Sequence, residues 1–310
     1  MTAAVGPRFT VESWSPEYGA PVEPMGPEKL SQVSVDIEVE RSAGEWRPID
    51  PPETPPARVI FVDGVRRIDA RIWIEQEPGL PPRQGLCASC AAGTLLCSDR
   101  ATVGRVQVER SLITSAPTFA VQAAGHEYGP RAVAGDMIED LTEGLRQCLR
   151  DLEIQVAGVA SGGDLIVIDG PLRGRDQLEG ASGYIKSHRV EYLPEEVRPI
   201  VSALGSGQRT PLFVTQTTWS RYCWYLRLPG GSGHPWAGVV RCELAATLSA
   251  EEAIQRCSLI SAALPRFASA SHKDPRAPQN LYPIAGLERE LRRQLGDQQL
   301  LYRRLCAASH

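Results

Sequence analysis

The stretch FVDGVRR, residues 61–67, ends an apolar run with an Asp that is followed directly by Gly. The same arrangement returns in LIVIDGPLRG, residues 165–174. Such a run is typical of a buried strand, and Asp-Gly is typical of the turn that ends one. Side chains that follow neighbouring strands of a parallel or mixed sheet meet at one edge of it. We therefore expect Asp63 and Asp169 to lie close together.

The elements predicted around these two stretches indicate an α/β fold. An apolar strand at 59–62, a turn at Gly64 and an alternating strand at 68–74 predict an antiparallel hairpin. A third strand is predicted over 102–110, a helix over 136–160 and a strand over 165–169. A hairpin, a helix and then a strand parallel to the first are typical of an RNase H-like mixed β-sheet flanked by helices.

The rest of the chain divides into a lead and further elements of the second half. Residues 1–57 are rich in Pro and Glu, and predict a lead or linker that contacts a partner or a second copy. Extra strands are predicted at 183–190, 212–216, 222–229 and 237–245, and a helix at 249–264. One C-terminal helix is predicted over 284–306, after Tyr282-Pro283. Residues 58–310 would then form the main domain.

Composition excludes several classes of protein. No stretch approaches the roughly 20 apolar residues of a membrane span. The N-terminus lacks the apolar segment of a secretory signal. The eight cysteines are scattered, and the one CxxC, at Cys87 and Cys90, has no second ligand pair of the kind that structural zinc requires. Buried free thiols in a reducing cytoplasm are the expectation.

Charge is distributed unevenly along the chain. The formal net charge is −4, which argues against a general polyanion binder. Residues 171–241 nevertheless hold nine Lys or Arg against five Asp or Glu. Nearly all of these cations are Arg, as in the whole chain, so a general preference for Arg and solvated side chains would give the same pattern as contacts to phosphate groups.

In order along the chain, FVDGVRR, VIDGPLRG, GYIKSHR, GQRTPLF, WYLRLP, GVVRCE and NLYPIAGLERELRRQLGD resemble the bacterial branch of the NurA nucleases. The resemblance covers residues 58–306, and the ordered set carries it rather than any one motif. It implies an RNase H-like core and a Mn²⁺-dependent nuclease, also open to Mg²⁺, that acts on single-stranded DNA and duplex ends. It also implies a homodimer that works with a HerA-type hexameric ATPase in resecting double-strand breaks.

The resemblance places an acidic cluster on this sequence. Its two strand-end acids fall on Asp63 and Asp169, and its helix acid falls on Glu153, with Glu139 and Glu143 as weaker candidates. The archaeal members' His falls here on Glu290, and we expect Glu288 instead as a fourth ligand, because NLYPIAGLE places its carboxylate on the first turn of the last helix; a charge that complements the helix dipole is the alternative. Converging carboxylates are suited to two divalent cations, which activate water and stabilise the leaving oxygen of a phosphodiester.

Five further residues are predicted to contact DNA. Lys186 and His188 share one face of a predicted strand at i, i+2 and could hold a phosphate. Arg209 and Arg227 could follow the backbone, and Tyr282 matches the family's Tyr. Stacking surfaces for bases are expected among nearby aromatic residues, of which most could equally belong to the core: Trp219, Trp224, Tyr225 and Trp236.

Other functions stay open on the sequence alone. A metal-dependent phosphatase or a nucleotide transferase would use the same acids, although no phosphate-binding glycine loop with Walker spacing is present. A glycosidase also uses paired carboxylates, but the Arg-rich second half gives it little support. A chain without catalysis could instead be a DNA clamp that anchors a DNA-pumping ATPase.

Overall fold

The computed structural model describes residues 9–11, 34–75, 79–116, 119–123, 125–160, 165–175, 178, 180–186, 192–217, 219–231, 236–270, 272–273 and 277–309. Within them, one sheet holds twelve strands. They are β1 Phe9–Val11, β2 Ser34–Asp36, β3 Val59–Ile74, β4 Arg83–Cys97, β5 Ala101–Thr114, β6 Val121–Ala123, β7 His126–Ala132, β8 Leu165–Asp169, β9 Ala181–Ile185, β10 Phe213–Gln216, β11 Ser220–Arg227 and β12 Val239–Ala245. The α-helices are α1 Ile138–Gly158, α2 Pro199–Ala203, α3 Ala250–Ala263, α4 Tyr282–Gln294 and α5 Gln298–Ala307.

The strand order is β2-β10-β11-β12-β9-β8-β3-β4-β5-β7-β6, and β1 pairs with β3 off this path. At the centre, β3, β4 and β5 form an antiparallel meander. After α1 the chain returns as β8, parallel to β3, and β9 then pairs parallel to β8. An α/β fold with a large mixed sheet is therefore confirmed.

Helices cover both faces of the central strands. The apolar positions of α1 recur every three or four residues, and they pack on the sheet face that carries Ile60, Val62 and Ile168. On the opposite face, α3 and α4 pack over Phe61 and Val167. The strands β4 and β8 and the first residues of β3 are thus buried on both sides, which explains their nearly continuous apolar sequences.

The predicted hairpin at 59–74 is wrong, because these residues form the single strand β3. Asp63 and Gly64 pair with Gly93 and Ala92 of β4 and continue the strand, and only a bulge at residues 68–70 interrupts it. The sequence reasoning missed β4, whose run of Ala, Cys and Gly supplies a partner along this whole length. Asp63 therefore lies within a strand rather than in a turn.

The predicted C-terminal helix is two helices. Gly296 ends α4, because its φ of +78° lies in the left-handed region that glycine adopts readily. Asp297 then caps the N-terminus of α5 by accepting a 2.7 Å hydrogen bond from the Leu300 N–H. The helices predicted at 136–160 and 249–264 are confirmed as α1 and α3. Strands are confirmed within the other predicted segments, although residues 187–190 lie outside the described part.

Part of the predicted lead belongs to the sheet. β2 pairs with β10, and Ile49 bridges to Arg209. The predicted boundary at residue 57 therefore falls between two segments that share one sheet. Residues 1–8 and 12–33 of the lead lie outside the described part.

Candidate active site

Asp63 and Asp169 occupy neighbouring positions on parallel strands. Val62 pairs with Ile168 in the register of β3 and β8, so the two acids are the next residues of each strand. Because side chains alternate along a strand, both point to the face that carries Phe61 and Val167. The structure thus brings together the two acids that the sequence singled out, in adjacent strands rather than in two turns.

Asp63 is held in an environment that disfavours its charge. The residue is 7% exposed, and burial raises its pKa well above the ordinary value. Repulsion from Asp169 and, more weakly, from Glu153 acts in the same direction, whereas the Gly64 N–H and Lys186 oppose it. Two neighbouring carboxylates in a buried place repel each other in this way until a cation joins them.

Glu153 reaches β3 from α1, on the sheet face opposite to the one to which Asp63 and Asp169 point. One of its carboxylate oxygens lies 2.8 Å from the position that a Cβ on Gly64 would occupy, so the absence of a side chain there lets Glu153 reach the strand. Its other oxygen pairs with Arg175, and both side chains are buried. Burial raises the pKa of Glu153, Arg175 opposes this rise, and Asp169 adds to it.

The two alternative helix acids lie elsewhere on α1. Glu139 is exposed in the first turn of the helix. Glu143 pairs with Arg146 and Arg150, and its side chain is 40% exposed. Among the three helix acids, the electrostatic influence on Asp63 comes from Glu153.

Lys186 is the cation nearest the two aspartates. Its Nζ donates a 2.7 Å hydrogen bond to Asp169 Oδ2 and a 3.0 Å hydrogen bond to Asn280 Oδ1. Asn280 is fully buried just before α4. The sequence reasoning named Lys186 but missed Asn280 and Arg175. Two signals could have identified them: Asn280 lies two residues before the Tyr-Pro that begins a helix, and Arg175 lies a few residues after the second Asp-Gly.

Of the two predicted residues of α4, Tyr282 is its first residue, whereas Glu288 is the seventh of thirteen and lies beyond the first turn. Glu288 Oε1 accepts a 2.9 Å hydrogen bond from Arg292, one turn further along, so its role as a fourth ligand stays a prediction. Tyr282 is 41% exposed, its Oη accepts a hydrogen bond from the Ala270 N–H, and Lys273 lies 5.5 Å from its ring centre. That exposed ring is compatible with stacking on a base.

Two of the predicted DNA contacts, Arg209 and Arg227, are held by other parts of the protein. Arg209 is 2% exposed, and both of its terminal nitrogens pair with Glu40 at 2.7 and 2.8 Å, so its guanidinium faces protein rather than solvent. Arg227 donates to the backbone carbonyls of Ala237, Val201 and Ser202. We therefore correct the assignment of Arg209, whereas the contact of Arg227 with DNA stays a prediction because this residue is only partly buried. His188 lies outside the described residues.

The aromatic residues of the second half mostly belong to the core. Trp224 and Tyr225 are at most 1% exposed, and the Trp224 indole donates to Ser261. Trp219 and Trp236 are partly buried, the first against Arg221 and the second against Tyr225. The rings of Trp224 and Tyr225 are therefore too buried for a nucleic-acid base to stack on them.

The side chains of this site include oxygen donors that a divalent cation could bind. Asp63 and Asp169 supply the hard carboxylate oxygens that such cations prefer, and burial together with repulsion from Asp169 raises the pKa of Asp63. Glu153 would join only by leaving Arg175. In the present conformation, the described residues contain no group of three or more His, Cys, Asp or Glu arranged to hold a metal ion. All eight cysteines are free thiols, and seven of them are buried.

Comparison with known proteins leaves this site to be judged on its own geometry. No protein-family model matches the chain, and no curated protein matches it. Among the helices of the described residues, none has the length and apolar character that a bilayer span needs.

Proposed function

We propose that this protein is a metal-dependent nuclease that hydrolyses phosphodiester bonds of DNA, with Mn²⁺ or Mg²⁺ bound at Asp63 and Asp169. The observation that carries the proposal is the position of these two acids, side by side on parallel strands and next to Lys186. A pair of acids that repel each other in a buried place is costly for stability, and such a cost is typical of functional sites.

The order of the central strands supports an RNase H-like core as part of this proposal. When β6 and β7, which extend the sheet beyond β5, are left out, the strands β5-β4-β3-β8-β9 stand in the chain order 3-2-1-4-5, and the second strand runs antiparallel to the first. The helix α1 crosses between the third and fourth of them. The predicted acids then lie on the first strand, this helix and the fourth strand.

The side chains at the site have distinct proposed roles. Asp63 and Asp169 would hold the cation, and Glu153 would join them or orient a water molecule. The bound cation supplies the positive charge that lowers the pKa of water and stabilises the leaving oxygen. Lys186, which faces the same place, would pair with a non-bridging phosphate oxygen, since an ammonium carries a compact charge suited to phosphate.

The cellular role is proposed from the sequence resemblance alone. Residues 58–306 resemble NurA nucleases, and we propose accordingly that the protein works in the cytoplasm on single strands and duplex ends. Resection of broken DNA as a homodimer, alongside a HerA-type hexameric ATPase, follows from the same resemblance.

One observation favours a second candidate, a clamp for DNA without catalysis. Asp169 and Glu153 already pair with Lys186 and Arg175, so both acids have a structural partner in the present conformation. In such a protein the acids would stabilise the sheet, and the DNA-pumping ATPase would do the work on the nucleic acid.

The two candidates differ in a cleavage assay. A labelled single strand and a blunt duplex are incubated with Mn²⁺ and with wild type, Asp63→Asn, Asp169→Asn or Glu153→Gln. The nuclease proposal predicts Mn²⁺-dependent products from the wild type and losses of 100-fold or more in the two aspartate variants, roughly the scale of removing an essential catalytic group.

Glu143→Gln serves as the matched control on the same helix, since Glu143 faces Arg146 and Arg150. It should cleave at the wild-type rate. Equal activity of the wild type and both aspartate variants would overturn the assignment of the site. No cleavage by any of them, with retained DNA binding, would favour the clamp.

A further inference from the structure

The turn that follows Asp169 folds back over β9 at a glycine. Gly170 exchanges two backbone hydrogen bonds with Tyr184, of 2.8 and 3.1 Å. A Cβ on Gly183 would lie 2.9 Å from the Gly170 carbonyl oxygen and 3.1 Å from the Leu172 nitrogen. Both atoms belong to the backbone, which cannot move aside cheaply. Residues 169–172 are here called the Asp169 turn. The absence of a side chain at Gly183 leaves the space that this turn occupies.

Glu243 reaches the Asp169 turn through this space. Its strand, β12, pairs with β9 so that Glu243 stands opposite Gly183. Glu243 Oε2 accepts a 3.1 Å hydrogen bond from the Leu172 N–H. The carboxylate thus holds a backbone group only three residues beyond Asp169.

Two arginines fix the Glu243 carboxylate in this orientation. Its Oε1 accepts hydrogen bonds from Arg221 Nε at 3.1 Å and from Arg241 Nη2 at 3.0 Å. The ring of Tyr192 lies 5.4 and 4.6 Å from the two guanidinium carbons. The Glu243 side chain is 1% exposed.

A buried group of three ionised side chains is a poor way to stabilise a fold. Removing such charges from water costs about as much as their attraction returns, and apolar side chains of equal volume often do better. β12 is otherwise almost wholly apolar, so Arg241 and Glu243 stand out in it. What the carboxylate adds is a directed hydrogen bond to the Asp169 turn. Arg175 holds the same turn from the other side through the Pro171 carbonyl, at 2.7 Å.

We infer that Glu243 is a positioning residue for Asp169: it fixes the Asp169 turn, and through it the carboxylate that would hold the cation. The inference deepens the proposed function and rests on it for its effect on cleavage. Outer groups of this kind change metal affinity or activity about 10- to 100-fold when they are removed.

The hydrogen bond itself is tested without metal or substrate. In protein labelled with ¹⁵N-leucine, exchange of the Leu172 amide with deuterium should be slow in the wild type. It should accelerate at least tenfold in Gly183→Ala, which displaces the turn, and in the double variant Arg241→Met/Glu243→Met, which removes the acceptor of this hydrogen bond and keeps the net charge of the buried group. Gly85→Ala is the control, since its Cβ would be crowded at 3.2 Å by side chains of another part of the sheet. Rapid exchange of this amide in the wild type overturns the inference and leaves the nuclease proposal untouched.

The effect on Asp169 is tested with Mn²⁺ alone and then with DNA. Mn²⁺ affinity, measured from the EPR signal of the free ion, should fall at least tenfold in Gly183→Ala and in the double variant. On an oligonucleotide, kcat should fall tenfold or more while KM changes less than twofold. Gly85→Ala should have a lower melting temperature than the wild type but the same Mn²⁺ affinity and the same kcat.

Three outcomes separate the inference from the proposed function. Variants with a lower melting temperature but wild-type Mn²⁺ affinity and kcat would show a purely structural Glu243 and overturn the inference. Failure of the wild type to bind Mn²⁺ or to cleave DNA would overturn the nuclease proposal instead. In that case the exchange experiment still decides whether Glu243 holds the turn.

Discussion

Lys186 Nζ lies 2.7 Å from Asp169 Oδ2, and this ion pair stands directly beside a second carboxylate, that of Asp63. Within the described residues, Asp63 accepts a hydrogen bond from the Gly64 N–H and forms no ion pair shorter than 4 Å. One lysine therefore serves two acids. Since Asp169 takes the short contact, the charge of Asp63 is the less well compensated of the two.

Replacing Asp63 by Asn should stabilise the protein at neutral pH while it abolishes cleavage. The raised pKa of Asp63 means that the folded protein binds this proton more tightly than the unfolded chain does. Stability is therefore lost as pH rises above the unfolded pKa of 3.8, and the loss is complete once the pH exceeds the folded pKa. Removing the charge should recover roughly 1 kcal/mol at pH 7, a usual gain when a strained functional group is replaced.

Urea unfolding of the wild type and Asp63→Asn between pH 3.5 and 8 measures this effect. The difference in unfolding free energy should be largest at the upper end of the range and should shrink toward pH 3.8. Asp151→Asn is a suitable comparison, because Asp151 is exposed on α1 beside Arg131. A constant difference across the pH range would contradict the raised pKa.

The buried pair of Glu153 and Arg175 should show strong coupling in a double-mutant cycle. Arg175→Met leaves the Glu153 charge without its partner and should cost about 3–5 kcal/mol of unfolding free energy. Glu153→Gln together with Arg175→Met should cost much less, since no unpaired charge stays buried. Unfolding in urea measures all four proteins of the cycle. Additive effects of the two substitutions would mean that the pair is not formed in solution.

Gly64→Ala should separate activity from stability. The added Cβ would lie 2.7 Å from Leu149 Cδ1 and 2.8 Å from Glu153 Oε1, so both side chains of α1 must shift. We expect a stability cost of about 1–3 kcal/mol from overpacking. We also expect a larger fall in kcat than in the affinity for DNA, because the Glu153 carboxylate is displaced from β3.

Gly286→Ala is the control for this substitution. A Cβ at Gly286 meets nothing within 4 Å, and α4 should gain about 0.5–1 kcal/mol from the loss of a helical glycine. Its cleavage rate should equal that of the wild type. If Gly64→Ala also keeps full activity, Glu153 has no part in the reaction.

The sequence was sufficient to predict elements whose signal is local. The apolar run 165–169 and the spacing of Leu141, Leu145 and Leu149 depend on neighbours in the chain, and both elements were confirmed. Asp63-Gly64 led to the wrong prediction of a turn. The pair continues a strand here because β4 supplies a partner along the whole length of β3. Leu295-Gly296-Asp297 carried the signal of a helix stop followed by an N-cap, and it was overlooked within a periodic pattern.

The residues of the candidate site likewise divide into those that the sequence could predict and those that depend on distant contacts. Asp63 and Asp169 could be predicted to lie close together because both follow apolar runs that form neighbouring parallel strands, although Asp63 does not end its strand. Arg209 could not be recognised as structural, since its partner Glu40 lies 169 residues away. The contact of Glu243 with Leu172 likewise joins residues 71 positions apart. A charged side chain looks the same in sequence whether it meets DNA or a buried partner.

Residues 34–45 should contribute to stability through Glu40. Its carboxylate pairs with Arg209 and accepts the Leu212 N–H at 2.7 Å, and β2 adds a strand beside β10. A chain that starts at residue 46 loses all of these contacts and leaves the Arg209 charge buried, at a cost of about 3–5 kcal/mol. A chain that starts at residue 34 keeps them. Any test of ATPase binding by the lead should therefore use the second truncation.

The pH dependence of Glu40→Gln identifies the source of this stability. Burial alone would raise the pKa of Glu40, but the Arg209 guanidinium and the Leu212 N–H lower it below 4.5. The pair therefore stabilises the fold fully above pH 4.5, and its contribution is lost as pH falls through the lower folded pKa. Urea unfolding should show a loss in Glu40→Gln that is constant from pH 6 to 8 and decreases below pH 4.5. A loss that does not decrease in acid would mean that packing, rather than the ion pair with Arg209, holds residues 34–45 on the sheet.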